Sequence, residues 1–324
     1  MTALLSVNDL WVKYRTFEGI VSAVNGVSID IPEKGTLGLV GESGAGKTTL
    51  ALAMMRLIPS PPGIVEKGSV FFEGRDLQKI SEDEMEKIRG NRISMIFQDP
   101  MTSLNPVLTV GLQIAEAIVA HQNLGEKEAL KKMQEMLEKV QIPAERYKEY
   151  PHEFSGGMRQ RVGIAMALAC NPKLIIADEP TTALDVTIQA QVIELMRDLK
   201  EEFSTAMMLI THDLGVVGEV CDRVAVMYAG ELVEVGAIEQ IFDKPLHPYT
   251  AGLFQCIPDI DADVTSIRPI KGLMPDPLDL PLGCCFHPRC PACMDVCRVR
   301  KPEVFSENGH TVLCHLFSKG SELR

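Results

Sequence analysis

The residues of this chain that are best suited to chemistry lie in a glycine-rich run, Gly41–Thr48, which we call the glycine-rich loop. The run follows an apolar stretch, Thr36–Val40, precedes a helix-like stretch, Leu50–Leu57, and has the pattern Gly-x-x-x-x-Gly-Lys-Thr. Glycines let the backbone curl so that several N–H groups converge on one anion, and the N-terminus of the next helix adds partial positive charge. The lysine of this pattern reaches outer phosphates, and the threonine hydroxyl suits magnesium. We therefore predict a site for a nucleoside triphosphate and Mg²⁺ that includes Gly41, Ser43, Gly44, Gly46, Lys47, Thr48 and Thr49.

A second set of reactive side chains follows two apolar stretches further along the chain. Lys173–Glu179 is predicted to be a buried parallel strand that ends in two carboxylates. Ligand chemistry in α/β proteins usually occurs at the carboxyl edge of the sheet, where Asp178 suits Mg²⁺ and Glu179 suits a base that polarises water. His212 follows the next predicted strand, Met207–Ile210, so we expect it at the same edge. A single histidine at a strand end more often has a structural role.

A serine followed by two glycines marks another point at which backbone N–H groups are exposed. Ser155, Gly156 and Gly157 precede an apolar helix predicted for Val162–Ala169. Such a helix N-terminus attracts anions, although the same residues can serve only as a helix cap. Gln98 ends a further predicted strand that begins at Arg92, and is another candidate site residue.

Hydrophobic periodicity predicts the elements that position these residues. Residues 4–31 alternate apolar and polar side chains, which indicates antiparallel strands. Tyr14 lies among them and either packs as a half-buried strand residue or stacks on an adenine ring. The pattern becomes helical from Thr109 to about Lys139, and residues 224–235 are predicted to form a hairpin.

Composition and charge narrow the class of protein. The chain has 324 residues, 46% of them hydrophobic and 23% charged, which is typical of a soluble globular protein. Its length allows one large domain plus a smaller part, or two modest domains. The net charge of −12 argues against nucleic acid as the main partner, because polyanion binding needs clustered Lys and Arg. No apolar run is long enough to cross a bilayer, so we expect a cytosolic protein that can lie against a membrane protein.

The nine cysteines are unevenly distributed. Three are scattered, and the other six lie between residues 284 and 314. A reducing compartment disfavours structural disulfides, so this clustering indicates a metal site. Thiolates suit an iron–sulfur cluster or a tetrahedral zinc ion, and Cys290-x-x-Cys293 has a spacing found in zinc sites. The residues leave three alternatives open: a cluster, zinc or no metal.

Six motifs stand in order along the chain: the glycine-rich run, Gln98, Ser155-Gly-Gly-Met-Arg-Gln160, Asp178-Glu179, Asp185 and His212. Their order and spacing resemble those of the nucleotide-binding subunit of ABC transporters over residues 4–243. The resemblance implies an α/β fold of the P-loop NTPase class, the ABC cassette, in which a RecA-like core carries an antiparallel β subdomain and an α-helical subdomain at about residues 99–170. We expect a cassette domain at 1–243 and an irregular, Cys-rich C-terminal extension at 244–324.

The resemblance also implies roles for single residues. Tyr14 would stack on adenine, and Gln98 would sense the γ-phosphate and join Thr48 and Asp178 around Mg²⁺. Ser155-Gly156-Gly157 would be the signature motif, with Met158-Arg159-Gln160 where the commonest version has Gln. Glu179 would be the catalytic base and His212 would contact the γ-phosphate. Asp185 would lie in the loop at a dimer seam.

Such a motif set implies partners. The signature serine of one chain acts on ATP held by another, so the resemblance implies a pair with a homologous second ATPase or with a copy of this chain. ATP-driven closure of the pair would move two separate transmembrane permease subunits, and an extracytoplasmic solute-binding protein would be an indirect partner. The expected location is the cytoplasmic face of the inner membrane.

Three further stretches look like the oligopeptide/dipeptide/nickel importer ATPases: Asp99–Pro106, Leu246–Leu253 and the Cys-rich tail. In that group some members bind a [4Fe–4S] cluster, and the matching positions here are Cys284, Cys290, Cys297 and Cys314. Zinc is the alternative, since Cys285 and Cys293 are extra thiols. The expected cargo is a di- or oligopeptide, and nickel and glutathione are the alternative cargoes. The alternative to an importer subunit is a soluble ABC-type ATPase.

Overall fold

The computed structural model describes residues 3–99, 103–182, 184–256 and 269–318. The chain forms two compact units that alternate along the sequence. The first unit comprises Met1–Leu5, Ile31–Thr36 and Phe72–Thr211, and the second comprises Ser6–Asp30, Leu37–Phe71 and His212–Arg324. The boundary expected after residue 243 stays a prediction.

Twelve strands are present in the described residues. They are β1 Ala3–Arg15, β2 Ile20–Pro32, β3 Thr36–Val40, β4 Gly63–Phe72, β5 Arg75–Asp76, β6 Ile93–Ile96, β7 Leu174–Asp178, β8 Ala206–Thr211, β9 Arg223–Tyr228, β10 Glu231–Ala237, β11 Val304–Glu307 and β12 His310–Leu313.

The described α-helices, in chain order, are α1 Lys47–Met54, α2 Glu82–Glu86, α3 Val110–His121, α4 Glu126–Lys139, α5 Gly156–Leu168, α6 Val186–Glu202, α7 Leu214–Val220, α8 Ile238–Asp243, α9 Pro248–Gln255 and α10 Asp295–Val299. Short 3₁₀ turns occur at Ala144–Lys148, Pro151–Glu153 and His315–Phe317.

The first unit contains a parallel arrangement of β6, β7 and β8. Ile96 pairs with Ala177, and Asp178 pairs with Ile210, so the three strands end at one edge. Strands β7 and β8 are buried along their whole length, as their apolar sequences predict. The helical stretch predicted from Thr109 to Lys139 is confirmed as α3 and α4, and the Thr109 side chain caps α3 by accepting a hydrogen bond from the Leu112 N–H.

Helix α5 begins six residues earlier than the sequence indicates. We predicted its start at Val162, whereas the helix starts at Gly156. The Ser155 side chain accepts a hydrogen bond from the Met158 N–H, and this cap allows two glycines, which are poor helix formers, to form the first turn.

The second unit contains two groups of strands. One has the order β2-β1-β4, and the other has the order β3-β9-β10-β12-β11. Strand β3 is parallel to β9, and the remaining pairs of the second group are antiparallel. The hairpin predicted at 224–235 is confirmed, because Tyr228 pairs with Glu231 across a two-residue turn. Ala229 and Gly230 both have positive φ angles, 49° and 82°, as the favoured two-residue hairpin turn requires.

The C-terminal extension is more regular than we expected. Residues 269–294 contain only turns and irregular backbone, but α9 precedes them and α10, β11 and β12 follow. Strand β12 pairs with β10, where Val312 lies opposite Glu234. An unpaired edge of β10 would leave backbone donors and acceptors unsatisfied, and β12 satisfies them although its short sequence has little periodicity.

A buried polar cluster holds the start of α9. Glu234 Oε1 and Oε2 accept hydrogen bonds from the Leu246 N–H at 2.7 Å and the His247 N–H at 2.9 Å. His310 Nε2 lies 2.7 Å from the same carboxylate. The His247 Nδ1 atom caps α9 by accepting a hydrogen bond from the Tyr249 N–H at 3.0 Å. Burial of this ring lowers the pKa of His247 to about 3.

The buried His247 is expected to make the protein sensitive to acid. The unfolded chain takes up a proton near pH 6.5, whereas the folded ring stays neutral until about pH 3. Folding stability is therefore lost as the pH falls through this window, by about 1.4 kcal/mol per pH unit. His247→Asn retains an acceptor for the cap and should flatten the dependence of the free energy of unfolding on pH between about pH 6 and about pH 4, measured by urea titration. The same substitution at the exposed His152, His152→Asn, should not flatten this dependence. Equal slopes of unfolding free energy against pH in the unaltered protein and in both variants would contradict the role of His247.

Candidate functional site

The glycine-rich loop is shaped by the backbone around it. It connects the fully buried β3 to α1. We predicted that this helix starts at Leu50, whereas it starts at Lys47. Gly41 has φ 155°, and a Cβ there would lie 2.2 Å from the Met227 carbonyl oxygen. Gly46 has φ 106°, and its Cβ would lie 2.3 Å from the Ala23 carbonyl oxygen. Only glycine fits both positions, so the loop can curl with its backbone N–H groups at the N-terminus of α1.

Lys47 is held inside this loop. Its side chain is only 5% exposed, and Nζ donates hydrogen bonds to the carbonyl oxygens of Gly41 at 2.8 Å and Glu42 at 3.1 Å. Ser43, Gly44 and Thr48 are exposed beside it. A buried cation, a helix N-terminus and an exposed hydroxyl in one loop match the charge and hydrogen-bonding needs of phosphate groups with Mg²⁺.

Tyr14 lies beside the helix that follows the loop. It is half-buried, and its hydroxyl donates a hydrogen bond of 3.4 Å to Thr49 Oγ1. The contact places this ring near the glycine-rich loop. The sequence left open whether Tyr14 only packs in its strand or stacks on an adenine ring. Stacking on adenine stays a prediction.

In the first unit the structure brings together two of the predicted residues, Gln98 and Glu179. Gln98 Nε2 donates a hydrogen bond of 2.9 Å to Glu179 Oε2, and Thr182 Oγ1 donates another of 2.9 Å to the same oxygen. The Glu179 N–H bonds to the Ile210 carbonyl at 2.8 Å, and the residue has a positive φ of 46°. The backbone at the end of β7 is thus strained into one position, which fixes the direction of the carboxylate. Thr182 was missed in the sequence, where it is one of many loop hydroxyls.

Asp178, Ser155, Asp185 and His212 differ in burial. Asp178 is 1% exposed at the end of β7, whereas Ser155, Asp185 and His212 are exposed. Asp185 Oδ1 accepts a hydrogen bond from the Ile188 N–H at 3.0 Å and so caps α6. Both Ser155 and Asp185 therefore have a capping role, and their roles toward a nucleotide stay predictions.

The glycine-rich loop also has partners that sequence reasoning missed. Glu42 pairs with Arg289, and the Glu42 N–H donates to the Tyr249 hydroxyl. Both partners lie in motifs that served only to identify a subgroup, His247-Pro-Tyr-Thr250 and His287-Pro-Arg-Cys290. The signal in the sequence was the presence of polar side chains within these two motifs.

Four cysteines of the second unit form a group. In Cys284, Cys290, Cys297 and Cys314, each thiol lies close enough to the other three for their charges to interact. Burial, reinforced by this mutual repulsion, raises the pKa of Cys284 to about 12 and that of Cys314 to about 11. We call these residues the four-cysteine group. In the described residues the nine cysteines are free thiols.

The thiols of the four-cysteine group are not arranged as the ligands of one metal ion. Among the residues that the structure describes, no three His, Cys, Asp or Glu side chains are placed to hold a single metal ion. A zinc ion requires donors at about 2.0–2.3 Å from one point, so the thiols as they lie do not form a zinc site. Cysteine thiols also have the donor chemistry of an iron–sulfur cluster, whose ligands bind separate iron atoms.

Comparison with known proteins agrees with this geometry. Residues 24–182 match the ABC transporter family, and residues 233–297 match the C-terminal region of oligopeptide/dipeptide transporters. The chain is 52% identical over 322 residues to the oligopeptide transport ATP-binding protein AppD of Bacillus subtilis (strain 168), covering 98% of each chain. It is 50% identical over 302 residues to OppD of Escherichia coli (strain K12), covering 93% of this chain and 89% of OppD.

A solved structure supports the same conclusion. The ATP-binding cassette MJ0796, determined as a dimer bound to ADP and Pi, aligns with a TM-score of 0.65 and 28% identity over 72% of this chain and 98% of its own. The fold and the loop define an ATP-binding cassette protein, and hence an ATPase. The chain belongs to the family of ATP-binding subunits of oligopeptide/dipeptide ABC transporters. No helix in the described part of the chain is both long and apolar enough to span a bilayer.

Proposed function

We propose that this chain hydrolyses ATP to power the import of di- or oligopeptides through separate transmembrane subunits. The observation that carries the proposal is similarity over nearly the whole chain, including the C-terminal region, to oligopeptide and dipeptide transport ATP-binding proteins. The nickel and glutathione alternatives draw no support from these relatives, and the soluble ABC-type alternative is disfavoured by the match at residues 233–297.

The residues that carry out hydrolysis are proposed as follows. Lys47 neutralises the outer phosphates, and the glycine-rich loop around it supplies backbone N–H groups. Glu179 polarises the attacking water, and the hydrogen bonds from Gln98 and Thr182 orient its carboxylate. Thr48, Gln98 and Asp178 offer the oxygen atoms that Mg²⁺ prefers. The ion would neutralise phosphate charge when bound.

The remaining site residues are proposed to act in the same reaction. Tyr14 stacks on adenine, and His212 contacts the γ-phosphate. Ser155, with Gly156 and Gly157, acts on the nucleotide held by a second ATPase, and Asp185 lies at the seam of that pair. The dimeric form of MJ0796 with ADP and Pi supports pairing as the working state.

The partners and the location follow from the role. We propose that two permease subunits receive the movement, that the second ATPase is a related chain or a copy, and that an extracytoplasmic solute-binding protein delivers the cargo. The chain then lies on the cytoplasmic face of the membrane. Residues 1–243 serve as the cassette and residues 244–324 as the extension.

Uptake in the native host tests the cargo. A strain carrying Glu179→Gln should lose uptake of labelled di- and oligopeptides but keep uptake of nickel. A matched strain carrying Glu201→Gln, which changes an exposed residue of α6, should retain both. Loss of nickel uptake alone would overturn the peptide proposal, and unchanged uptake of every compound would overturn the importer role.

We also propose that the four-cysteine group holds a [4Fe–4S] cluster. The support is the mutual proximity of four buried or half-buried thiols. Two of them, Cys284 and Cys290, lie in the segment 269–294, which has little regular structure of its own. A cluster would cross-link this segment to α10 and to the residue that follows β12. Its expected effect is therefore structural.

Metal analysis tests the cluster. Protein purified without oxygen should contain iron and acid-labile sulfide in equal amounts, and Cys290→Ser should lose most of both. The matched control, Cys293→Ser, changes a neighbouring thiol outside the group and should retain them. Removal of the iron should make the C-terminal extension sensitive to protease. Zinc in place of iron, or no metal, would contradict the cluster, and unchanged protease resistance would contradict its structural role.

A further inference from the structure

The glycine-rich loop carries a negative charge of its own at Glu42. A carboxylate in a loop that binds phosphates works against binding, because like charges repel at short range. Two nitrogen atoms of Arg289 meet it: Nη1 lies 2.6 Å from Oε2 and Nη2 lies 3.0 Å from Oε1. This is the two-pronged geometry in which guanidinium and carboxylate groups bind most strongly.

Contacts other than the one with Glu42 also hold the Arg289 side chain in place. Its side chain is 5% exposed, and its Nε donates a hydrogen bond to the Lys271 carbonyl at 3.2 Å. Nη1 also donates to the Tyr228 hydroxyl at 3.4 Å, and the guanidinium lies 5.8 Å from the centre of the Tyr228 ring. The ion pair with Glu42 keeps the pKa of Arg289 raised. Little rotamer freedom remains to be lost when the ion pair forms.

Tyr249 holds the backbone of the same loop residue. Its hydroxyl accepts a hydrogen bond of 2.9 Å from the Glu42 N–H. The ring is fully buried and packs against Tyr228 and Phe286, with centroids 4.6 Å and 5.4 Å away. The Glu42 carbonyl in turn accepts from Lys47 Nζ. Residues of the C-terminal extension therefore hold both the side chain and the backbone of Glu42, whose carbonyl oxygen binds the lysine.

We propose that Arg289 is a positioning residue for ATP binding: it cancels the charge of Glu42 and fixes the glycine-rich loop in the shape that receives phosphates. The inference rests on the proposed role of Lys47 and its loop. Because Arg289 acts through Glu42, its loss should weaken the binding of ATP and leave the chemical step nearly unchanged. The C-terminal extension is then part of what sets nucleotide affinity.

The test is a double-mutant cycle on the full chain, read as the Kd for ATP by equilibrium binding and as kcat in the assembled transporter. Arg289→Gln should raise the Kd about tenfold, because it leaves an uncompensated carboxylate in the loop. Arg289→Lys should give a smaller rise, since an ammonium cannot form the two-pronged contact. Glu42→Gln combined with Arg289→Gln should recover most of the lost affinity. In each variant kcat should change less than about twofold.

Controls separate this role from a merely structural one. Arg300→Gln removes an exposed ion pair between Arg300 and Glu303, whose side chains are 68% and 79% exposed. This variant should leave the Kd for ATP unchanged. The iron content of each variant shows whether the neighbouring Cys290 is disturbed. An unchanged Kd in Arg289→Gln, or a double variant as weak as the single one, would overturn the inference.

Two further arms keep the outcome decisive. If Arg289→Gln does not fold, Glu42→Gln alone decides, because it leaves the Arg289 cation beside the loop and should bind ATP at least as tightly as the unaltered protein. A weakened Glu42→Gln would then overturn the charge argument. If Lys47→Ala also binds ATP normally, the loop assignment itself fails; if only Lys47→Ala loses binding, the inference about Arg289 fails alone.

Discussion

Replacement of Glu179 by glutamine is expected to abolish steady-state ATP hydrolysis, lowering turnover by about a hundredfold or more. The amide is nearly the same size, and its oxygen can still accept the hydrogen bonds that Gln98 Nε2 and Thr182 Oγ1 donate to Oε2. The local structure should therefore persist. What is lost is the negative charge and basicity needed to polarise water. ATP should bind and stay, so a closed pair of ATPases should accumulate.

Phosphate release and the oligomeric state in ATP measure this effect. The variant should release almost no phosphate, and gel filtration with ATP should show a dimer that the unaltered protein forms only transiently. Glu201→Gln, an exposed substitution of the same kind, should behave like the unaltered protein. Turnover of Glu179→Gln near the unaltered rate would mean that another group polarises the water.

Replacement of Lys47 by alanine is expected to remove ATP binding, raising the Kd by about a hundredfold or more. The side chain is 5% exposed and its Nζ donates hydrogen bonds to two carbonyl oxygens of the loop, so its charge is directed into the loop rather than into solvent. Its removal takes away the compensating cation for the phosphates and loosens the carbonyls that it holds. Lys47→Arg should also bind poorly, because the planar guanidinium is larger and cannot replace a compact ammonium there.

Equilibrium binding of ATP, with thermal unfolding of the same samples, checks this prediction. Lys131→Ala is the matched control, since that side chain is 80% exposed and its ion-pair partner Glu135 is 53% exposed. It should change neither affinity nor stability measurably. Unaltered ATP affinity in a folded Lys47→Ala protein would contradict the assignment of the glycine-rich loop.

Local patterns in the sequence determined much of the fold and the position of the site. Strand β3 and the glycine-rich loop were predictable because a short apolar run, glycines and a helix start are all encoded within about 15 residues. The turn at Ala229-Gly230 and the cap at Thr109 were predictable for the same reason, since each depends on neighbours a few positions away. The position of the two carboxylates at the end of β7 was predictable because they directly follow one short apolar run.

Only the tertiary structure decided which distant residues meet. Gln98 and Glu179 are 81 positions apart, and Glu42 and Arg289 are 247 positions apart. Strand β12 could not be predicted from the sequence, because four residues with little periodicity become a strand only when the edge of β10 is available for pairing. Hydrogen bonds and ion pairs between such segments leave no periodic trace in the sequence. Their energy depends on burial and on the exact separation of two groups, and folding alone brings those groups together.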